Sequence, residues 1–153
     1  MNNLIDFEIK AQEHFRMPTD IIEEQCLIIK DRSESYVIAK IVEVDGILGF
    51  TQRIKSDFQD NNALFCYEFF ITSKSTPKYK FRVMYMQFGI EGFPLDLLMD
   101  PGIAGELNKK QLVSCESEIE FWEILRSILN SKKMQQVINS LYAKAKQEDK
   151  KFF

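Results

Sequence analysis

The sequence predicts an α+β fold: an antiparallel sheet of four to six strands, two carboxy-terminal amphipathic helices packed on one face, and a short amino-terminal helix. Two patterns lead to it. Phe121, Trp122, Leu125, Ile128 and Leu129, then Met134, Val137, Ile138, Leu141, Tyr142 and Ala145, recur at helical spacing. Earlier, Ala63, Phe65, Tyr67, Phe69 and Ile71, then Tyr79, Phe81, Val83 and Tyr85, alternate with period two. The 153 residues fit one domain spanning 1–153, and 13 Phe point to an aromatic-rich core.

Leu4, Phe7, Ala11 and Phe15 fit an amino-terminal helix that Pro18 would stop, while Ile5, Phe7, Ile9 and Ala11 fit a strand; the helix is preferred. Thr19-Asp20 with Glu23 can start a further helical turn. Gln25 to Lys30 and Tyr36 to Val44 are expected to pair as strands through Asp31-Arg-Ser-Glu-Ser35. The following hairpin turns at Ser73-Lys-Ser-Thr-Pro-Lys78. Its opposite-face positions Leu64, Phe70, Met84, Met86 and Phe88 are also apolar, so both sides of part of the sheet should be covered. A short strand is expected over Gln111 to Ser114. Ser114 or Ser117 caps the first carboxy-terminal helix, with Glu116, Glu118 and Glu120 in its opening turn. Asn130-Ser131 breaks and recaps the chain, Lys144 and Lys146 suit the end of the second helix, and residues 147–153 should fray.

The longest apolar runs resemble Cys26-Leu27-Ile28-Ile29, far short of a membrane span. Acids occupy the amino terminus where a signal peptide would be basic, which places the chain in the cytoplasm. Cys26, Cys66 and Cys115 are odd in number and form no Cys-x-x-Cys pair, so they read as buried free thiols. His14 is the single histidine; it excludes a multi-histidine zinc site and leaves nucleophilic catalysis one base. Glu8-Ile9-Lys10 resembles the Glu-x-Lys element of metal-dependent nuclease cores, with only Asp6 as a preceding carboxylate. The pI of about 5.3 opposes nucleic-acid binding. Asp45-Gly46 reads as a turn opening a loop that carries Asp57 and Asp60. No cofactor or metal is expected.

Charge is uneven. Between Arg82 and Lys109 the chain runs 26 residues without a Lys or Arg while holding Glu91, Asp96, Asp100, Glu106 and four of six glycines. The stretch from Gly89 to Leu107 reads as a long, structured surface loop, where function concentrates. Its glycines sit among carboxylates that would repel phosphate. The expected function is a non-catalytic protein-binding module: a cytoplasmic inhibitor or immunity-type protein that neutralises a basic partner, such as a bacterial nuclease toxin. Phe93, Leu95, Leu97, Leu98 and Met99 would form the desolvated center, with Glu91, Asp96, Asp100, Glu106 and Glu116 as the steering acids. The alternatives are a metal-dependent hydrolase or nuclease built on Asp96 and Asp100, and a structural homodimer assembled through the sheet and the Trp122 helix.

Overall fold

A computed structural model describes residues 2–10, 16–44 and 65–150. His14, the loop carrying Asp45, Asp57 and Asp60, Ala63 and Leu64, and the last residues Phe152 and Phe153 lie outside the described residues. The elements in chain order are α1 (Pro18–Arg32), β1 (Val37–Glu43), β2 (Phe65–Ser73), β3 (Phe81–Phe88), β4 (Leu95–Met99), α2 (Pro101–Glu106), β5 (Leu112–Cys115), α3 (Glu118–Leu129) and α4 (Lys132–Lys150). The five described strands form one antiparallel meander in chain order, so β1 and β5 are its edges among the described residues. The expected α+β class, with α1 amino-terminal and two carboxy-terminal helices, is the fold observed.

Pro18 starts a helix rather than stopping one. Its missing N–H costs nothing at the first helical position, and Asp20 closes the turn by accepting the Met17 N–H at 3.0 Å. The helix then runs 15 residues and absorbs Gln25 to Lys30, which was expected as a strand. Ile21 and Ile22 are buried, and Gln25, Cys26 and Ile29 are half-buried on the same side, at helical spacing. Leu27 and Ile28 remain exposed, so the contiguous apolar run carries no strand pairing. Residues 2–10 form no regular element.

The β2–β3 register sets what faces the helices. Phe65 pairs with Phe88, Tyr67 with Met86 and Phe69 with Met84, so these six side chains share one side. The ladder then slips, with Phe70 opposite Arg82 and Ile71 opposite Phe81, leaving Val83 as the extra residue of a bulge. The bulge reverses the alternation of β3. Phe81 therefore joins Met84, Met86 and Phe88 on the helix side, whereas Tyr85 turns to the opposite face. The period-two set Tyr79, Phe81, Val83 and Tyr85 is not one face, because a single inserted residue moves every later side chain across the sheet.

Leu95, Leu97 and Met99 of β4 continue the helix side, opposite Phe88, Met86 and Met84. They join Ile21 and Ile22 of α1, Phe121, Leu125 and Ile128 of α3, and Met134 and Leu141 of α4 in one core. The other face carries Cys66, Glu68, Phe70, Arg82, Tyr85, Gln87, Asp96, Leu98 and Ser114, and no described helix contributes to the small apolar cluster there. Helix α4 continues to Lys150, so residues 147–150 are helical rather than frayed.

Candidate functional site

The acidic stretch is not a long loop. It holds a central strand and a helix, and its carboxylates do separate structural work. Asp96 is buried on the face of β4 away from the described helices and accepts a hydrogen bond from the Ser114 hydroxyl across to β5. Asp100 caps α2, its Oδ2 accepting the Ile103 N–H at 3.0 Å. A Cβ at Gly102 would lie 3.0 Å from that oxygen, a tight contact. Glu106 reaches the start of α4 and accepts the Lys132 and Lys133 N–H groups at 2.8 and 3.3 Å. An anion at a helix amino terminus satisfies orphan donors and offsets the macrodipole. Replacing Glu106 by Ala should therefore lower stability by about 1 kcal/mol in urea denaturation.

Leu97 is fully buried and belongs to the core, which corrects its expected place on a partner surface. Phe93 is half-buried against the Phe121 ring, with centroids 6.2 Å apart. Glu91 and Glu116 are exposed. Gly92 adopts φ 86° where the chain passes the start of α1, and a Cβ there would lie 3.3 Å from Pro18 Cδ. The seven residues expected to form one interface are thus divided among the two sheet faces, two helix caps and the surface.

The sheet face away from the described helices has its own charge cluster. Glu68 is 3% exposed and pairs with Lys80 at 2.5 Å and Arg82 at 2.8 Å. The cations cover neighbouring rings, Lys80 over Phe70 at 4.7 Å and Arg82 over Tyr85 at 4.5 Å. Burial alone would raise the Glu68 carboxyl, but the hydrogen bonds and charges of Lys80 and Arg82 outweigh it and hold the group below its ordinary 4.5. A depressed carboxyl stabilises the fold above its unfolded value, and that contribution is lost as pH falls through the folded value. Acidification below about pH 4.5 should therefore cost the wild type more stability than Glu68→Gln, as read by thermal midpoints across an acid series.

The concave site lies elsewhere. A cleft of about 660 Å³ opens between α1, α3 and α4. Its walls are Ile28 and Ile29 of α1, Trp122, Leu125 and Leu129 of α3, and Ile138 and Tyr142 of α4. Helical spacing explains the convergence: Gln25, Ile28, Ile29 and Arg32 share one stripe of α1, and Trp122, Leu125, Arg126 and Leu129 share one of α3. Arg32 and Arg126 are among the lining residues, and both are exposed. None of its described lining residues is Asp, Glu, His or Cys, and neither arginine forms an ion pair with a described residue. Arg16, paired with Glu24, lies over the ring of the lining residue Trp122 at 5.8 Å, and Tyr142 of the lining donates its hydroxyl to Glu34 at 3.0 Å.

This cleft was missed in the sequence because the α1 stripe disappears when Gln25 to Lys30 is read as a strand. The available signal was the Gln25, Ile28, Ile29, Arg32 spacing set beside Trp122 and Arg126.

Other chemistry finds little geometric support. Burial, then Glu23, pushes the Cys26 thiol up to about 11. Burial, followed by Glu120, Asp96 and Glu116, takes Cys115 to about 12, so both thiols stay protonated at neutral pH. Glu8 and Lys10 are exposed and 3.9 Å apart in the irregular amino-terminal segment. Among the described residues no group of three or more His, Cys, Asp or Glu side chains converges as metal ligands do. No described helix is long and apolar enough to cross a membrane. Comparison with protein-family models, characterised proteins and solved structures finds no match to this chain.

Proposed function

We propose that this protein is a non-catalytic binding module whose recognition site is the α1/α3/α4 cleft, and that its ligand is an organic anion with an apolar body. The observation that carries the reading is the pair Arg32 and Arg126, neither ion-paired with a described residue, in an otherwise largely apolar cleft. A volume of about 660 Å³ matches small-molecule sites, which combine apolar walls with a few placed polar groups. Arginine presents a planar fork suited to carboxylate or phosphate.

Both arginines also lie in the last turn of their helices, where a cation offsets the macrodipole. That role accounts for their charge but leaves the guanidinium donors free for a ligand. The described lining residues offer no carboxylate, imidazole or thiol for acid-base or nucleophilic chemistry, which favours binding over catalysis. A version in which the acidic stretch meets a basic protein partner has less support, because Asp96, Asp100 and Glu106 are engaged inside the fold.

Trp122 is the only tryptophan and lines the cleft, so its fluorescence reports occupancy directly. Titration with decanoate should give a saturable change. Decyltrimethylammonium, which has the same tail and the opposite head charge, should bind far more weakly. Equal response to both amphiphiles, or to neither, would refute the proposed ligand class.

A further inference from the structure

We infer that residues 4–10 are an exchange strand that pairs along the open edge of β1 in a second copy of the chain. The segment carries Leu4, Ile5, Phe7 and Ile9 at 87, 49, 71 and 80% exposure. Among the described residues its polar contacts are local: Ile5 N–H to Asn3 Oδ1, and Glu8 to Lys10. Four large apolar side chains in six positions held in water mark a contact surface rather than a finished fold. The order Ile5, Asp6, Phe7, Glu8, Ile9, Lys10 alternates apolar and charged residues, as a strand with one covered face requires.

The β1 edge offers the matching half. Val44 donates its N–H to the Cys66 carbonyl, so in antiparallel alternation Val42, Lys40 and Ile38 also face β2. The N–H and C=O groups of Ala39, Ile41 and Glu43 then point outward, and among the described residues β1 has a strand neighbour on one side only. Unpaired edge groups of this kind are a template for an added strand. On the helix side of β1, Ala39 and Ile41 are half-buried at the margin of the core, where Ile5, Phe7 and Ile9 would extend it. On the open side, exposed Lys40 forms no ion pair with a described residue and would meet Asp6 or Glu8. β1 spans seven residues, as does the segment from Leu4 to Lys10, whereas β5 spans four. Reciprocal exchange closes a pair with two such contacts.

The test is sedimentation of the full chain across a concentration series, with an arm variant (Phe7→Asp with Ile9→Asp) and an edge variant (Ala39→Pro). Proline removes one outward N–H and leaves the β1–β2 ladder intact. The arm variant alters residues outside the core, so its folding is not at risk. The wild type should be a concentration-dependent dimer, and each variant a monomer with unchanged circular dichroism. An equimolar mixture of the variants should regain dimer, because one intact arm can still pair with one intact edge. A monomeric wild type, a dimer that survives the arm variant, or no recovery on mixing would overturn the inference. Decanoate titration of the arm variant should match the wild type, which separates this result from the cleft reading.

Discussion

Replacing Leu97 by Ala should lower stability by roughly 2–5 kcal/mol, the range for a buried leucine whose cavity the surroundings cannot fully close. Leu97 is fully buried in β4, paired with Met86 on one side and Val113 on the other. A neighbour in sequence gives the control. Glu91 is exposed and has no role in the sheet, so Glu91→Gln should stay within about 0.5 kcal/mol of the wild type, as surface substitutions usually do. Equilibrium urea unfolding compares the two. A loss below about 1 kcal/mol for Leu97→Ala would mean that β4 does not form the center of this core.

The second large effect concerns ligand affinity. Converting both Arg32 and Arg126 to Gln should weaken decanoate binding by at least about tenfold, since a charge-assisted hydrogen bond contributes roughly 1.5–3 kcal/mol. Binding of an uncharged decyl ligand should change little, because the apolar walls from Ile28, Trp122 and Leu129 remain. Loss of the two helix-end cations also carries a modest stability cost, so the paired Arg32→Lys and Arg126→Lys variant is the necessary control. Lys keeps the dipole compensation but not the planar fork, so it should bind with intermediate affinity at near wild-type stability. Equal loss of charged and uncharged ligands in the Gln variant would indicate a collapsed cleft rather than a lost anion contact.

The parts of the fold that could be read from the sequence were those with local, strictly periodic signals. α3 and α4 keep their apolar faces at helical spacing, and their caps are the ones expected: Ser117 accepts the Glu120 N–H at 3.3 Å and Ser131 the Met134 N–H at 3.2 Å. β5 falls within one residue of its expected bounds. What was not legible depended on tertiary context. The bulge at Val83 exchanges the faces of β3 without a glycine or proline to announce it. The apolar run of α1 fits a strand or a helix equally well by composition, and only burial of Ile21 and Ile22 against the sheet decides. Asp96 and Leu97 resembled exposed loop residues because their surroundings hold Gly, Pro and acids, yet the neighbouring strands bury both. The candidate cleft inherited the α1 error, since its lining combines a stripe of α1 with stripes of α3 and α4, far from α1 in sequence.

The central claim is that recognition takes place between α1, α3 and α4. Amide chemical-shift mapping of the isotope-labelled full chain during decanoate titration tests it most directly. The account predicts saturable shifts concentrated at Ile28, Ile29 and Arg32, at Trp122 and Arg126, and at Ile138 and Tyr142, together with the Trp122 indole N–H. Shifts centered instead on Glu68, Tyr85 and Asp96 of the open sheet face, or no saturable shift at all, would contradict it.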